Sequence, residues 1–344
     1  MKVIVTGGSG LVGSHCCEFY ARQGHEIISI ENHTRGRIFG KVGETRENTE
    51  YLKQKYKNIS IHEMDIRDEQ IKPLLRGADL IIHTAAQTSH PKSIEIPRED
   101  FSINAYGTLH LLELTREVAD KAVFVFCSTN KVYGENPNSL PLVEKGTRYD
   151  YADRDGISED LPVDKTLHTP FGASKLAADI YCQEYGRLYG LDTGIFRLSC
   201  ITGPLSKAVE MQNWEPYFIR VNLLGQTLNV YGFKGKQVRD VIDARDLVRA
   251  FDAFFKKPRK GEVYNMGGGR PNSISLLESF KLIERLTGKP MHYQLAPRRD
   301  GDHQVYITDL NKFTSHYPWK IEIGLEQVFR DIYEWLQRNP QLLK

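Results

Sequence analysis

A doubly wound α/β fold with a parallel central sheet and a smaller, less regular C-terminal region is predicted by three features of this 344-residue sequence. Short apolar runs alternate with helical stretches through the first 200 residues. The first run passes directly into a glycine-rich turn and then a helix. The composition, 40% apolar and 26% charged, is that of a folded globule and far from the signature of disorder.

Residues 2–6 read as a fully buried strand, and 10–22 as a helix with Leu11, Val12 and Phe19 available to face a sheet. Strand signals recur at 26–30, 59–63, 80–83 and 123–127, followed by a long helix at 172–189 and a strand at 194–198. Such alternation implies parallel strands joined by right-handed crossovers, the Rossmann arrangement. Two segments break the rhythm. Residues 32–58 are polar and basic at their start (Arg35, Arg37, Lys41), which predicts a surface loop with one helix near 50–56. Beyond Gly203 the pattern fades, so the expected division is a dinucleotide-binding domain over 1–204, its sheet completed by part of 228–258, and a mainly substrate-binding region over 205–344.

The charge balance, 46 basic against 44 acidic residues, removes any global electrostatic reason to bind nucleic acid or an anionic membrane. No apolar run approaches the ~18 residues of a membrane span. The five cysteines (Cys16, Cys17, Cys127, Cys182, Cys200) lack metal-ligand spacing and read as reduced, mostly buried thiols, and no metal site is expected. Met1 leads straight into a strand, which leaves no room for a leader and points to the cytoplasm.

Glycines at 7, 10 and 13 stand between the first strand and the first helix. Gly7 permits the tight turn, Gly10 lets backbone approach a pyrophosphate, and Gly13 lets helix and strand pack closely, while the helix N-terminus supplies unpaired N–H donors. Glu31 follows at the end of the second strand, where a carboxylate accepts ribose hydroxyls and repels a 2′-phosphate, favouring NAD over NADP. Arg35 and Arg37 weigh against that preference. Asp65-Ile66-Arg67 after the third strand offers a carboxylate to adenine, and Thr84-Ala85-Ala86 after the fourth leaves space for a dinucleotide to pass. Asn104, in a helical stretch, carries an amide that needs partners.

Taken together, Thr6-Gly7-x-x-Gly10-x-x-Gly13, Asp65-x-Arg67, His83-Thr84-Ala85-Ala86, Ser128-Thr129-Asn130-Lys131-Val132-Tyr133-Gly134, Gly172-Ala173-Ser174-Lys175 and Arg239-Asp240 resemble the extended short-chain dehydrogenases that act on nucleotide sugars. The likeness runs from Met1 to about Trp335, and is greatest to the CDP-paratose 2-epimerases, also called CDP-tyvelose epimerases. Tyr185 to Leu191, Phe196-Arg197 to Thr202-Gly203-Pro204, Arg299-Asp300-Gly301-Asp302-His303 and His316-Tyr317-Pro318-Trp319 carry that closer likeness. The resemblance implies NAD contacts at Gly7, Gly10, Leu11, Val12, Glu31, Asp65, Ile66, Ala85, Ala86, Asn104, Ser128 and Lys175. It implies substrate contacts at Thr129, Cys200, Gln212, Arg239 and Arg299, with Trp214 in the same segment as Gln212 and the two arginines clamping a diphosphate. It further implies a homo-oligomer, dimer or tetramer, whose partner is a nucleotide-diphosphate sugar.

In such enzymes a tyrosine takes the sugar's hydroxyl proton, a lysine four residues later lowers the phenol's pKa and holds the nicotinamide ribose, and a Ser or Thr hydroxyl shares the proton. Thr129 and Lys175 match two of these roles. Phe171 occupies the tyrosine position. Three readings stay open: a substitute base (Tyr133, His168 or Cys200), a relay from Thr129 to Lys175, or a binding protein without chemistry. The related 4,6-dehydratases follow the Thr with an Asp-Glu pair that eliminates water. Here Asn130 and Lys131 stand instead, which disfavours dehydration, and Lys131 also argues against the decarboxylases. The expected reaction is epimerisation of a nucleotide sugar, at C2 if the closer likeness holds and at C4 as its chemical rival.

Overall fold

The computed structural model describes residues 1–210 and 212–343. Seven strands form one parallel sheet, running from edge to edge as Glu262–Met266, Asp192–Leu198, Val123–Thr129, Leu80–His83, Lys2–Thr6, Glu26–Glu31 and Ile59–Glu63. The order reverses beside Lys2–Thr6, as a doubly wound sheet requires. Successive residues of each strand point to opposite faces. Val3 and Val5 therefore join a core with helices Leu11–Arg22 and Ala244–Lys256, through Tyr20, Leu247, Phe251 and Phe254. Ile4 joins the opposite core with Leu111 and Leu112 of helix Gly107–Val118 and Ala178 and Cys182 of helix Thr169–Tyr189.

Two expectations need correction. The strand that completes the sheet is Glu262–Met266, beyond the segment 228–258. That segment instead contributes helix Ala244–Lys256, which covers the sheet, and strand Val238–Asp243, which belongs to a second small sheet. Residues 32–58 are more ordered than a surface loop with one helix: the helix expected near 50–56 is present as Arg46–Lys55, and a second, Thr34–Phe39, precedes it. The polar Asn48 and Thr49 can be buried because they are hydrogen-bonded: Asn48 donates to the carbonyls of Ser9 and Leu205, and Thr49 meets the Ser9 hydroxyl at 2.5 Å.

The C-terminal region carries its own core, in which Phe218, Phe280 and Phe329 bring together helices Trp214–Leu223, Leu276–Thr287 and Leu325–Arg338. Chain passes to it from the main sheet at Ser199. The next three residues, Cys200–Thr202, pair with Val238–Asp243, and the Ser199 hydroxyl donates to Asp240 at 2.5 Å. All five cysteines are free thiols, four of them buried. Among the described residues, no helix is long and apolar enough to cross a membrane.

Candidate active site

A cleft of about 450 Å³ runs along the C-terminal ends of the strands, with the C-terminal region as its far wall. Its floor is the point where strand order reverses. Gly7 adopts φ +68° there, and a Cβ on it would stand 2.8 Å from the Ala85 nitrogen; one on Gly13 would stand 2.2 Å from the Gly7 carbonyl oxygen. Only hydrogen fits at either place, so two backbones and the start of helix Leu11–Arg22 come together at the cleft. The helix begins at an extended Gly10 with no side-chain cap, which leaves its first amides as donors.

Gly7, Gly10, Leu11, Val12, Glu31, Asp65, Ile66, Ala85 and Ala86 all line this half. Leu11 thus lines the cleft, while Val12 lines it and also packs against the core on the sheet. Glu31 accepts from the amides of Ser9 at 3.1 Å and His33 at 2.8 Å, which fixes its carboxylate at the end of the second strand. Asp65 is half-buried, which works against its charge. Bonds from Arg67 (2.6 and 2.7 Å) and Asn32 (2.8 Å) outweigh that and hold it down to about 2. Arg35 lines the cleft, whereas Arg37 bonds Thr34. Asn104 departs from expectation. It lies off the cleft in the π-helical turn Ser102–Tyr106, with its amide engaged by Gln87, Asp100 and Ser174. That network ties the turn to helix Thr169–Tyr189.

The middle of the cleft is lined by Ser128, Thr129, Phe171 and Lys175. The Ser128 hydroxyl points away, donating to Asp179 at 2.6 Å. Lys175 is buried, its ammonium 2.6 Å from the Cys127 carbonyl and 4.1 Å from the Phe126 ring centre, and burial brings it down to about 8. Of the substitute bases, Tyr133 is fully buried away from the cleft, donating to Asn265 at 2.8 Å and accepting from Arg197; burial pushes its phenol up to about 12. His168 also lies off it, its ring nitrogens beside the carbonyls of Val132 and Thr166. Cys200 does line the cleft, but burial pushes its thiol up to about 12.

At the far end stand Gln212, Trp214, Glu215 and Arg299. The Arg299 guanidinium lies over Tyr231, 3.4 Å from the ring centre. The Gln212 carbonyl, the Trp214 indole N–H and one Glu215 oxygen are buried without hydrogen-bond partners among the described residues. Burial raises Glu215 to about 8. Arg239 does not line the cleft; paired in register with Ile274 and Tyr306, it donates to the Val238 carbonyl. Sequence reasoning passed over His90, Glu215 and Asp302 and gave Lys131 only a negative role, yet all four line the cleft. The usable signal for His90 was its place just beyond a parallel strand's C-terminal end.

The comparisons with known proteins decide what this cleft belongs to. The family model described as "NAD dependent epimerase/dehydratase family" matches residues 3–267. The chain belongs to that family. It is 33% identical over 346 residues to the CDP-paratose 2-epimerase of Salmonella typhi, covering 97% of this chain and 99% of that one. It is 29% identical to a putative UDP-glucose 4-epimerase of Methanocaldococcus jannaschii, covering 98% and 99%. Among solved structures, the UDP-glucose 4-epimerase of Thermus thermophilus in complex with NAD superposes with a TM-score of 0.79 at 26% identity, covering 98% and 99%.

As a member of the epimerase/dehydratase family the protein is an enzyme of the NAD-dependent nucleotide-sugar superfamily, and its cofactor is NAD. The residues present fit that group. The close backbone approach at Gly7 and Gly13 and the uncapped helix start suit a pyrophosphate, and Glu31 suits a ribose diol.

Proposed function

We propose that this enzyme epimerises a CDP-activated sugar at C2 through a transient ketone. The observation that carries the reading is one continuous cleft. It runs from the glycine turn and Glu31, past Thr129 and Lys175, to Arg299 and Gln212, which supports a dinucleotide and a nucleotide sugar bound end to end. NAD, when bound, supplies the acceptor and donor of hydride. The chain's own residues place the sugar: Arg299 faces the diphosphate, Thr129 offers its hydroxyl to the reacting oxygen, and the Lys175 ammonium holds the nicotinamide ribose. Asn130 and Lys131 leave no carboxylate pair for eliminating water, which supports epimerisation over dehydration. The full-length similarity to a CDP-paratose 2-epimerase supports cytidine and C2.

A 4-epimerase on a UDP sugar is the second reading, supported by the similarity to the UDP-glucose 4-epimerases. Incubation with CDP-, UDP-, GDP- and dTDP-sugars, followed by proton NMR, separates the two by which carbon inverts. Inversion at C4 of a UDP sugar, with CDP sugars untouched, overturns the first reading. Exposed Phe101, Tyr106, Ile180, Tyr181 and Leu188, on two neighbouring helical stretches, support assembly as a homo-oligomer, which sedimentation velocity tests.

A further inference from the structure

With Phe171 in place of a phenol, the sugar's hydroxyl proton needs another acceptor, and three elements converge around the helix turn that carries Phe171. The turn after strand Val123–Thr129 carries Lys131 against the start of helix Thr169–Tyr189, where a Cβ on Gly172 would be 2.7 Å from the Lys131 carbonyl oxygen. Helix His90–Glu95 docks on the same turn of that helix, Ser93 accepting from the Phe171 amide at 3.0 Å. The segment 299–303 closes the third side, its Gly301 carbonyl accepting from the Lys131 amine at 2.8 Å, with Asp302 at 3.9 Å. Lys131, His90, Asp302 and Phe171 all line the cleft, two residues along the chain from Thr129 in the case of Lys131. His90 packs against Gly301 at this spot, both its ring nitrogens buried without hydrogen-bond partners among the described residues.

Resting on the epimerase reading, we propose that Lys131 is the proton-transfer residue that stands in for the missing phenol. Its neutral amine takes the hydroxyl proton, so that O–H breaks and N–H forms. The C–H electron pair leaves as hydride to NAD, and the sugar, oxidised by two electrons, becomes a ketone. When hydride returns to the opposite face, the ammonium gives its proton back to the same oxygen.

The electrostatics agree with this geometry. Burial lowers Lys131 to about 8; Asp302 opposes that, Arg239 adds to it, and Cys200 and Glu135 oppose it again. The two histidines facing the amine are weak bases: burial and Lys131 hold His90 at about 4 and His303 well below its usual value. A fair share of Lys131 is thus neutral at mildly alkaline pH, while its neighbours do not compete for the proton.

The test compares wild type with Lys131→Arg, Lys131→Met and Phe171→Tyr/Lys131→Met on CDP-paratose, with bound NAD and CDP affinity measured alongside. Arginine keeps the charge and a donor toward Gly301 but does not give up its proton. We expect kcat in Lys131→Arg and Lys131→Met to fall by about 10²–10⁴-fold. NAD content and CDP affinity should stay within about threefold, and the wild-type limb near pH 8 should vanish. The double variant should regain turnover. Wild-type kcat and pH profile in Lys131→Arg would overturn the proposal. So would a loss of CDP affinity matching the loss of kcat/KM, which would make Lys131 an anchor for 299–303. If neither wild type nor Phe171→Tyr turns over any CDP, UDP, GDP or dTDP sugar, the epimerase reading itself fails, and with it the role of Lys131.

Discussion

Glu31 has two oxygens, each held by one backbone amide, and a carboxylate has lone pairs to spare after both bonds. Those spare pairs are what a ribose diol would use. Replacing Glu31 with Ala is expected to weaken NAD binding by about 1–3 kcal/mol, the scale of charge-assisted hydrogen bonds, as read by calorimetry on stripped protein. Unchanged affinity would leave Glu31 a purely structural acceptor for Ser9 and His33. The arginines should now behave differently from one another. Arg299→Ala is expected to weaken CDP binding at least tenfold with NAD content unchanged, whereas Arg239→Ala, off the cleft, should change CDP affinity much less; equal losses would return Arg239 to the diphosphate. Most of the cleft was legible at this scale because a parallel sheet delivers ligand contacts at strand ends, and strand ends can be read from apolar runs. Direction was not legible. Tyr133 and His168 lie near the right motifs in sequence, but the Tyr133 hydroxyl is claimed by Asn265, from a strand 132 residues away, and no local pattern announces that.

Helix Thr169–Tyr189 brings Phe171 and Lys175 to the cleft from one end while its other end packs against the turn at Gly261. A Cβ on Gly186 would lie 2.2 Å from the Gly261 nitrogen and 2.5 Å from the Thr193 hydroxyl oxygen. Gly186→Ala must therefore push the helix off its seat. Overpacking of this kind costs about 1–3 kcal/mol or more, so the midpoint of thermal unfolding should fall, and a variant as stable as wild type would show that the helix end yields freely. Elements with a strong apolar rhythm were readable in order, and their limits moved by only a few residues. Helix Thr34–Phe39 was not, because only Thr34 of its six residues is buried, and helix Arg46–Lys55 was expected only over its second half, where Leu52 joins the apolar core, while its first half is placed by the polar bonds of Asn48 to Ser9 and Leu205. Strand Glu262–Met266 was missed because five residues carry too little periodicity to mark them as a sheet edge.

Across the whole molecule, the acid side of stability has an identifiable source. One oxygen of Glu18 receives bonds from Arg22, Lys55, Tyr51 and Tyr56, joining the first helix to Arg46–Lys55. Burial opposes its charge, yet these donors bring it down to about 2. A carboxyl lowered in the folded state binds fewer protons there than in the unfolded chain, so its contribution is complete above about pH 4.5 and is lost as pH falls toward 2. Glu18→Gln should thus lower the unfolding midpoint fully at pH 6, by less at pH 3.5, and hardly at all near pH 2; a pH-independent loss would assign the effect to packing. The late arrival of strand Glu262–Met266 has a different consequence, one of timing. Until it is made, Asp192–Leu198 is the rim of an unfinished sheet, with the open side of Ile195 and Phe196 uncovered. At about 5–20 residues per second, a ribosome needs roughly 3–14 s to travel from residue 198 to 266. Throughout that interval the nascent chain offers an unpaired apolar edge to any other strand. A fragment ending at residue 204 should therefore be recovered as aggregate, and one ending after 266 and carrying helix Ala244–Lys256 should be markedly more soluble; a monomeric, cooperatively folding 1–204 fragment would show that the edge is harmless.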